Sequence, residues 1–351
     1  MLEIRLNGRP VGPDHPPYVI AEAGINHNGE PATALEMVRV ARDAGADAVK
    51  FQTFKAEELV GDPALTYTYR SQGKEVTESM LDMFRRSELP RSTWFDIKAE
   101  CDRLKITFLS TPQNESDLEL LLEVGVPAVK VGSDDLTNLP LLRRLAATGL
   151  PVILSCGMAE LEEIRRSLET VGALAGYPTV LLLCTSEYPT PAADVNLRKL
   201  TTLRAAFPAV IVGFSDHTQG PLASSLATAL GAAVLEKHFT LDHGLPGPDH
   251  WFSEDPAGLV DWVRAIRTAH IMMGQAGVRP TAAELEMRVI ARRSIVALRP
   301  IASGEMFTAD NIGLRRPGTG LPPESFVAVL GGTATRNLRS GDWLRLGDVA
   351  K

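Results

Sequence analysis

The sequence predicts a closed parallel (β/α)8 barrel with an N-terminal β-hairpin and a small β-rich C-terminal module. Three observations predict it. Eight short apolar runs, rich in β-branched residues, recur along most of the 351-residue chain. Each is followed by polar residues and then by an amphipathic segment of helical length. The runs are nearly continuous in apolar character rather than alternating, as expected of strands covered on both faces. An open doubly wound sheet also alternates strand and helix, but eight evenly spaced units favour closure into a TIM barrel.

Taken in order, Leu2–Val11 alternates around Asn7-Gly8, a type I′ turn signal, and reads as a hairpin that lids or plugs the main fold within residues 1–17. The barrel follows over residues 18–274. Its strand runs are Tyr18–Ala23, Ala48–Gln52, Ile106–Ser110, Ala128–Val131, Pro151–Leu154, Thr179–Cys184, Ala209–Phe214 and Val234–Lys237. The helical segments between them are Pro31–Ala44, Arg91–Leu104, Glu115–Val124, Leu139–Ala147, Glu160–Val171, Asn196–Ala206 and Pro221–Gly231, with Pro256–Met273 last. Ser92, Asn114 and Asp255 suit N-caps, while Gly45, Gly125, Gly149 and Gly231 suit the position after a helix. The longest interruption, Val60–Glu88, reads as an elaborated loop with a short helix. Residues 275–289 form a linker ending in a helical stub. Residues 290–351 form the β-rich module, with turns at Ser303-Gly304 and Ser340-Gly341-Asp342. That module has nine Lys and Arg against five Asp and Glu, whereas the whole chain carries a net charge of −7.

Composition excludes several classes. A net charge of −7, with no basic cluster interleaved with aromatics, argues against nucleic-acid binding. The three cysteines, Cys101, Cys156 and Cys184, are far apart and fit a reducing cytoplasm rather than a disulfide framework or thiolate zinc site. The N-terminus lacks the apolar core of a signal peptide, and no apolar run is long enough to span a bilayer.

A (β/α)8 enzyme keeps its site where the strands end. Here each strand delivers groups that bind or catalyse: Glu22; Lys50 and Gln52; Ser110-Thr111; Lys130 and Ser133; Ser155-Cys156; Thr185-Ser186 and Tyr188; Ser215-Asp216-His217; Lys237-His238. Lys50 and Lys130 stand inside apolar strands, where an unpaired ammonium is costly, so something anionic must neutralise them. With the hydroxyls of Thr111, Ser133, Ser155, Ser186 and Ser215 they make a pocket for a phosphorylated carboxylate. A Schiff-base role for either lysine is the alternative. Cys156 is read as a small buried residue rather than a nucleophile. His217 and His238 follow consecutive parallel strands, so both imidazoles reach one face, close enough to share a metal ion. Two imidazoles without thiolates suit an open site for a divalent ion, manganese foremost, with zinc, cobalt, nickel or magnesium as alternatives. Glu22 and Asp249 are the carboxylates expected to face the same cavity. His27 ranks third as a ligand, because its N-H-N-G context serves turn geometry. His243 and His250 read as loop residues, and Asp216 either orients His217 or caps a helix.

The motifs AEAGINHNG at 21–29, KFQTF at 50–54, STPQ at 110–113, KVGSDDLTN at 130–138, SCGMA at 155–159, CTSEYPTP at 184–191, GFSDHTQG at 213–220, LEKHFTLD at 235–242 and GPDH at 247–250 resemble the sialic acid synthase family. RRPGTGLPP at 315–323 is similar to its C-terminal domain, the antifreeze-like or SAF domain. The resemblance implies condensation of phosphoenolpyruvate with an open-chain N-acetylated hexosamine, N-acetylmannosamine in the best-known members, to give N-acetylneuraminate. Legionaminate and pseudaminate synthases, acting on a di-acetamido sugar, share the motifs. The resemblance further implies manganese and a domain-swapped homodimer. Carried over by motif, Lys50, Thr111, Lys130, Ser133, Ser155, Ser186 and Ser215 hold phosphoenolpyruvate, and His217 and His238 hold the metal. Glu22, Gln52, Tyr188 and Asp249 face the sugar, and Arg316 reaches the N-acetyl group from a second copy. Ser186 stands where many members have Asn. Glu22 is the carboxylate expected to stabilise charge or take a proton, with Lys50 and Lys130 as its catalytic partners.

Overall fold

The computed structural model describes residues 2–351, in two compact units, residues 2–274 and Gln275–Lys351. In the first unit, β1 (Ile4–Leu6) and β2 (Arg9–Val11) form the expected antiparallel hairpin. Asn7 and Gly8 both take positive φ, as a type I′ turn demands. The strands that follow are β3 (Tyr18–Gly24), β4 (Ala48–Thr53), β5 (Thr66–Ser71), β6 (Lys74–Ser79), β7 (Thr107–Pro112), β8 (Val129–Val131), β9 (Val152–Ser155), β10 (Thr179–Cys184), β11 (Ile211–Asp216) and β12 (Val234–His238). All of these except β5 and β6 belong to one eight-stranded parallel sheet, ordered β7-β4-β3-β12-β11-β10-β9-β8. Its two ends, β7 and β8, pack side by side, so the sheet is a nearly closed barrel.

Strand period sorts the side chains into two layers. Outward residues such as Val49, Phe51, Leu154 and Leu235 meet the helices, where Trp94, Leu142 and Trp262 are buried. Inward residues of the strands' first halves, among them Tyr18, Ile20, Leu109, Ile153 and Leu182, form a second core with Ile4, Leu6 and Val11 of the hairpin. The hairpin is therefore a plug at the barrel's N-terminal end. The inward positions of the second halves are the polar ones.

Two local readings are corrected. The 60–88 segment is more than a loop with a helix. Besides the helix Met80–Ser87 it holds a second hairpin, β5 against β6, turning at Gln72-Gly73 with both φ positive. Gln in place of Asn weakened the turn signal, although T-Y-T-Y alternation was present. Ser92 is not a cap, because Pro90 precedes the helix Arg91–Leu104. Asn114 and Asp255 do cap their helices.

In the second unit the helix Ala282–Ala291 starts from a Thr281/Glu284 capping box. Beyond it β13 (Ser294–Ala297) pairs with β14 (Ile312–Arg315), and β15 (Thr333–Ala334) with β16 (Val349–Ala350). A separate core of Ile295, Ile301, Phe307, Ile312, Leu338 and Leu344 holds this unit. A short helix, Phe326–Val329, interrupts the β-rich module.

Candidate active site

The inward positions near the strands' C-terminal ends converge on one cavity of about 770 Å³. Every residue expected to hold substrate or metal in the barrel lines it: Glu22, Lys50, Gln52, Thr111, Lys130, Ser133, Ser155, Ser186, Tyr188, Ser215, His217, His238 and Asp249; of the other strand-end groups, Ser110, Cys156, Thr185, Asp216 and Lys237 do not. Arg316 lies exposed in the second unit.

The floor of the cavity is a buried charge cluster. Glu22, Lys50, Lys130 and Glu236 are 1, 3, 3 and 4 % exposed. Lys50 Nζ lies 2.7 Å from Glu22 Oε2 and 3.7 Å from Glu236 Oε2. Lys130 Nζ lies 3.4 Å from Glu236 Oε1 and donates to Ser155 Oγ at 2.8 Å. Ser215 Oγ donates to Glu236 at 3.1 Å, Lys50 to Thr111 Oγ1 at 3.4 Å, and Gln52 to Glu22 at 3.4 Å. A bulge at Glu22–Gly24, with Gly24 at φ +52°, sets where Glu22 projects.

Burial and pairing compete over these groups. Burial pushes the Glu22 carboxyl up, more than Lys50 pulls it down. Burial also works against ionised Glu236, but Lys130, Lys50 and the Ser215 hydroxyl together outweigh it and hold its pKa low. For Lys50 burial is outweighed by Glu22 and Glu236, and its pKa rises. For Lys130 burial wins over Glu236 and the pKa falls.

The imidazoles sit beside this cluster, with ring centroids 5.6 Å apart. His217 Nδ1–H donates to the Thr185 carbonyl at 2.7 Å; burial works against the charged ring, but Cys184 and this bond outweigh it and raise the pKa. His238 Nδ1 is buried without a hydrogen-bond partner and lies 3.9 Å from Asp249 Oδ2. Burial, then the neighbouring His217, hold the His238 pKa well below its usual value, so this ring is a neutral donor. No group of three or more His, Cys, Asp or Glu side chains is gathered at metal-binding spacing among the described residues. The Tyr188 ring lies 4.1 Å from that of His217. Asp249 is raised to about 7 by burial and by Glu22. Across the cavity, Ser133 Oγ accepts from the Gly157 N–H at 2.9 Å. A Cβ at Gly157 would fall 2.3 Å from Ser186 Oγ, so both hydroxyls crowd this glycine.

The sequence matches the NeuB family over residues 37–277 and the SAF domain over residues 292–350. This chain belongs to the NeuB family. It is 39% identical to the N,N'-diacetyllegionaminic acid synthase of Legionella pneumophila over 97% of both chains. It is 34% identical to the N-acetylneuraminate-9-phosphate synthase of Homo sapiens, covering 94% of this chain and 92% of that one. The solved N-acetylneuraminic acid synthetase from Leptospira borgpetersenii superposes with a TM-score of 0.73 at 33% identity, over 81% of this chain and 94% of that one. The protein is thus an enzyme of the NeuB family of sugar-acid synthases, with a SAF domain at its C-terminus.

In this NeuB-family enzyme both lysines are neutralised by Glu236, a residue the sequence motifs did not point to. Strand period was the available signal: with His238 facing inward, Glu236 does too, and Lys237 faces out. Lys237 accordingly pairs with Asp216 at 3.2 Å behind the barrel wall. Asp216 accepts from Thr218 and Ser224, tying the loop to the next helix rather than orienting His217. Cys184 was also missed. Its Sγ lines the cavity 3.8 Å from His217 Nδ1. Cys156 is inert, its thiol pushed up to about 12 by burial. His27 stays in its turn, accepting from Gly29 N–H at 3.1 Å. His250 is more than a loop residue: it is buried, bonding Thr240 at 2.7 Å and Asn28 at 3.2 Å.

Proposed function

We propose that this enzyme condenses phosphoenolpyruvate with the aldehyde of an open-chain acetamido sugar and releases phosphate by C–O cleavage. The observation that carries the reading is the Glu22–Lys50–Glu236–Lys130 cluster beside two imidazoles in one cavity. Lys50 and Lys130 face the substrate's charges as point cations. Ser155, Ser215, Thr111, Ser133 and Ser186 donate to its remaining oxygens. The enol carbon attacks the aldehyde carbon, positive charge develops beside it, and water adds there. Glu22, its pKa raised by burial, stabilises that charge or takes the proton from the water.

The two lysines and two glutamates cancel in formal charge, so an incoming phosphorylated carboxylate needs a further cation. Two imidazoles, one with a buried nitrogen that has no partner, fit that need. His217 and His238 would hold a divalent ion, Mn²⁺ foremost, with Zn²⁺, Co²⁺, Ni²⁺ or Mg²⁺ as alternatives. Such an ion supplies Lewis-acid polarisation of a carbonyl oxygen.

For the sugar, we favour a di-acetamido deoxyhexose. The support is the 39% identity to a diacetyllegionaminic acid synthase and a cavity mouth lined by Leu59, Val60, Met83 and Phe84. N-acetylmannosamine, giving N-acetylneuraminate, is the second reading, favoured by the likeness to the N-acetylneuraminic acid synthetase of Leptospira borgpetersenii. The reading includes a cytoplasmic, domain-swapped homodimer in which Arg316 of the partner subunit meets the N-acetyl group. No helix is long and apolar enough to cross a membrane among the described residues.

The test is phosphate release from phosphoenolpyruvate with a panel of acetamido sugars. Release with none of them would refute the reading. The lowered pKa of Lys130 favours one rival, an imine-forming aldolase. Borohydride trapping with pyruvate would expose that rival, and no adduct is expected.

A further inference from the structure

The cavity changes character from floor to mouth. The floor is built of buried ions and hydroxyls. The mouth is flanked by apolar side chains, Met83 and Phe84 among them, and by the β5–β6 hairpin. Most of β5 is exposed, and no hairpin residue joins a core cluster of the barrel. The hairpin is fastened at its tip. Gln72 Nε2 donates to the Gly244 carbonyl at 2.8 Å, and the Gly247 N–H to Ser71 Oγ at 3.1 Å. The loop it grips also carries Asp249 and Trp251, both in the cavity wall. The Arg70 guanidinium lies over the Trp251 ring, 5.2 Å from its centroid. Tyr67 and Tyr69 stack with centroids 5.7 Å apart. Besides the two floor lysines, Arg70 is the one Lys or Arg lining the cavity among the described residues.

We propose that this hairpin is the specificity-determining wall for the far half of the sugar, with Arg70 and Tyr67 recognising a second acetamido group. The proposal rests on the sugar-condensing reading above and deepens it. An open-chain hexose with its aldehyde at the charged floor extends its distal carbons toward the mouth. An acetamido group has two faces. Its methyl suits Met83 and Phe84, and its carbonyl oxygen accepts from the planar fork of Arg70. A plain hydroxyl at that carbon lacks the methyl. A phosphate would set two charges against one exposed cation and an apolar wall.

The experiment compares kcat/KM for phosphoenolpyruvate-dependent phosphate release by wild type, Arg70→Ala, Arg70→Lys and Tyr67→Ala. Three sugars are used: a di-acetamido deoxyhexose, N-acetylmannosamine and its 6-phosphate. Arg70 and Tyr67 are exposed, so the barrel's cores do not depend on them. Wild type is expected to prefer the di-acetamido sugar. Arg70→Ala should cut that preference over N-acetylmannosamine by about 10- to 100-fold, the scale for a group losing its contact. Arg70→Lys should restore only part, because the fork is lost. Equal loss on all sugars in both Ala variants would overturn the wall alone. A wild type that prefers the 6-phosphate, and loses that preference in Arg70→Ala, would also overturn it. No release with any sugar would overturn both the wall and the reading beneath it.

Discussion

Replacing Glu22 by Gln tests the proposed chemistry most directly. The change is nearly isosteric and leaves an amide where Gln52 now donates at 3.4 Å. It removes the nearer of the two carboxylates around Lys50, at 2.7 Å, and leaves Glu236 at 3.7 Å. At an effective dielectric near 20 the two attractions are about 6 and about 4.5 kcal/mol before desolvation. Orphaning a buried charge costs about 3–5 kcal/mol, and the remaining carboxylate relieves part of it. The expected stability loss is therefore about 2 kcal/mol, readable by urea unfolding. Turnover should fall much further, by about 10²- to 10⁴-fold, because the lost group acts on the reacting carbon. The assay is phosphate release at saturating phosphoenolpyruvate and sugar. Turnover within about twofold of wild type would remove Glu22 from the chemistry, since general acid–base roles are worth far more.

Three further outcomes are expected. Chelation should abolish phosphate release and added Mn²⁺ should restore it, whereas His217→Ala and His238→Ala should lose the restoration; activity indifferent to chelator would sink the metal reading. Gly157→Ala should raise KM for phosphoenolpyruvate more than it lowers kcat, because the new methyl displaces Ser186 and Ser133; an unchanged KM would show those hydroxyls idle. His27 is lowered from 6.5 to about 4, by burial and then by His250. Its folded pKa lies below its unfolded one, so its contribution is complete above pH 6.5 and is lost as pH falls toward 4. Between pH 7 and 5 wild type should lose about 2 kcal/mol more than His27→Asn in urea unfolding. Parallel losses would refute the assignment.

The barrel was legible in the sequence because its strands are apolar on both faces and its helices are punctuated by Gly45, Gly125, Gly149 and Gly231, all at positive φ. The polar strand ends were legible because a lysine inside AVKFQ or AVKVG has no apolar explanation. What pairs with those lysines was not. The expected counter-charge was a ligand, yet the chain supplies Glu22 and Glu236. Glu236 hid inside LEKH, where three consecutive polar residues end the strand and only the two-residue period separates inward from outward. The β5–β6 hairpin hid for a different reason. It is stabilised by contacts across the cavity mouth, to Gly244, Gly247 and Trp251, which lie far away in sequence.

The N-terminal hairpin has a consequence for the order of events. Ile4, Leu6 and Val11 stopper the barrel from below, so reactants and products share a single doorway. A vessel open at one end fills from its base. In the proposed reaction, the smaller, more highly charged reactant would have to settle on the lysines before the longer one, or the longer one would bar its passage. Phosphate formed at that depth would then wait for the sugar acid above it to leave.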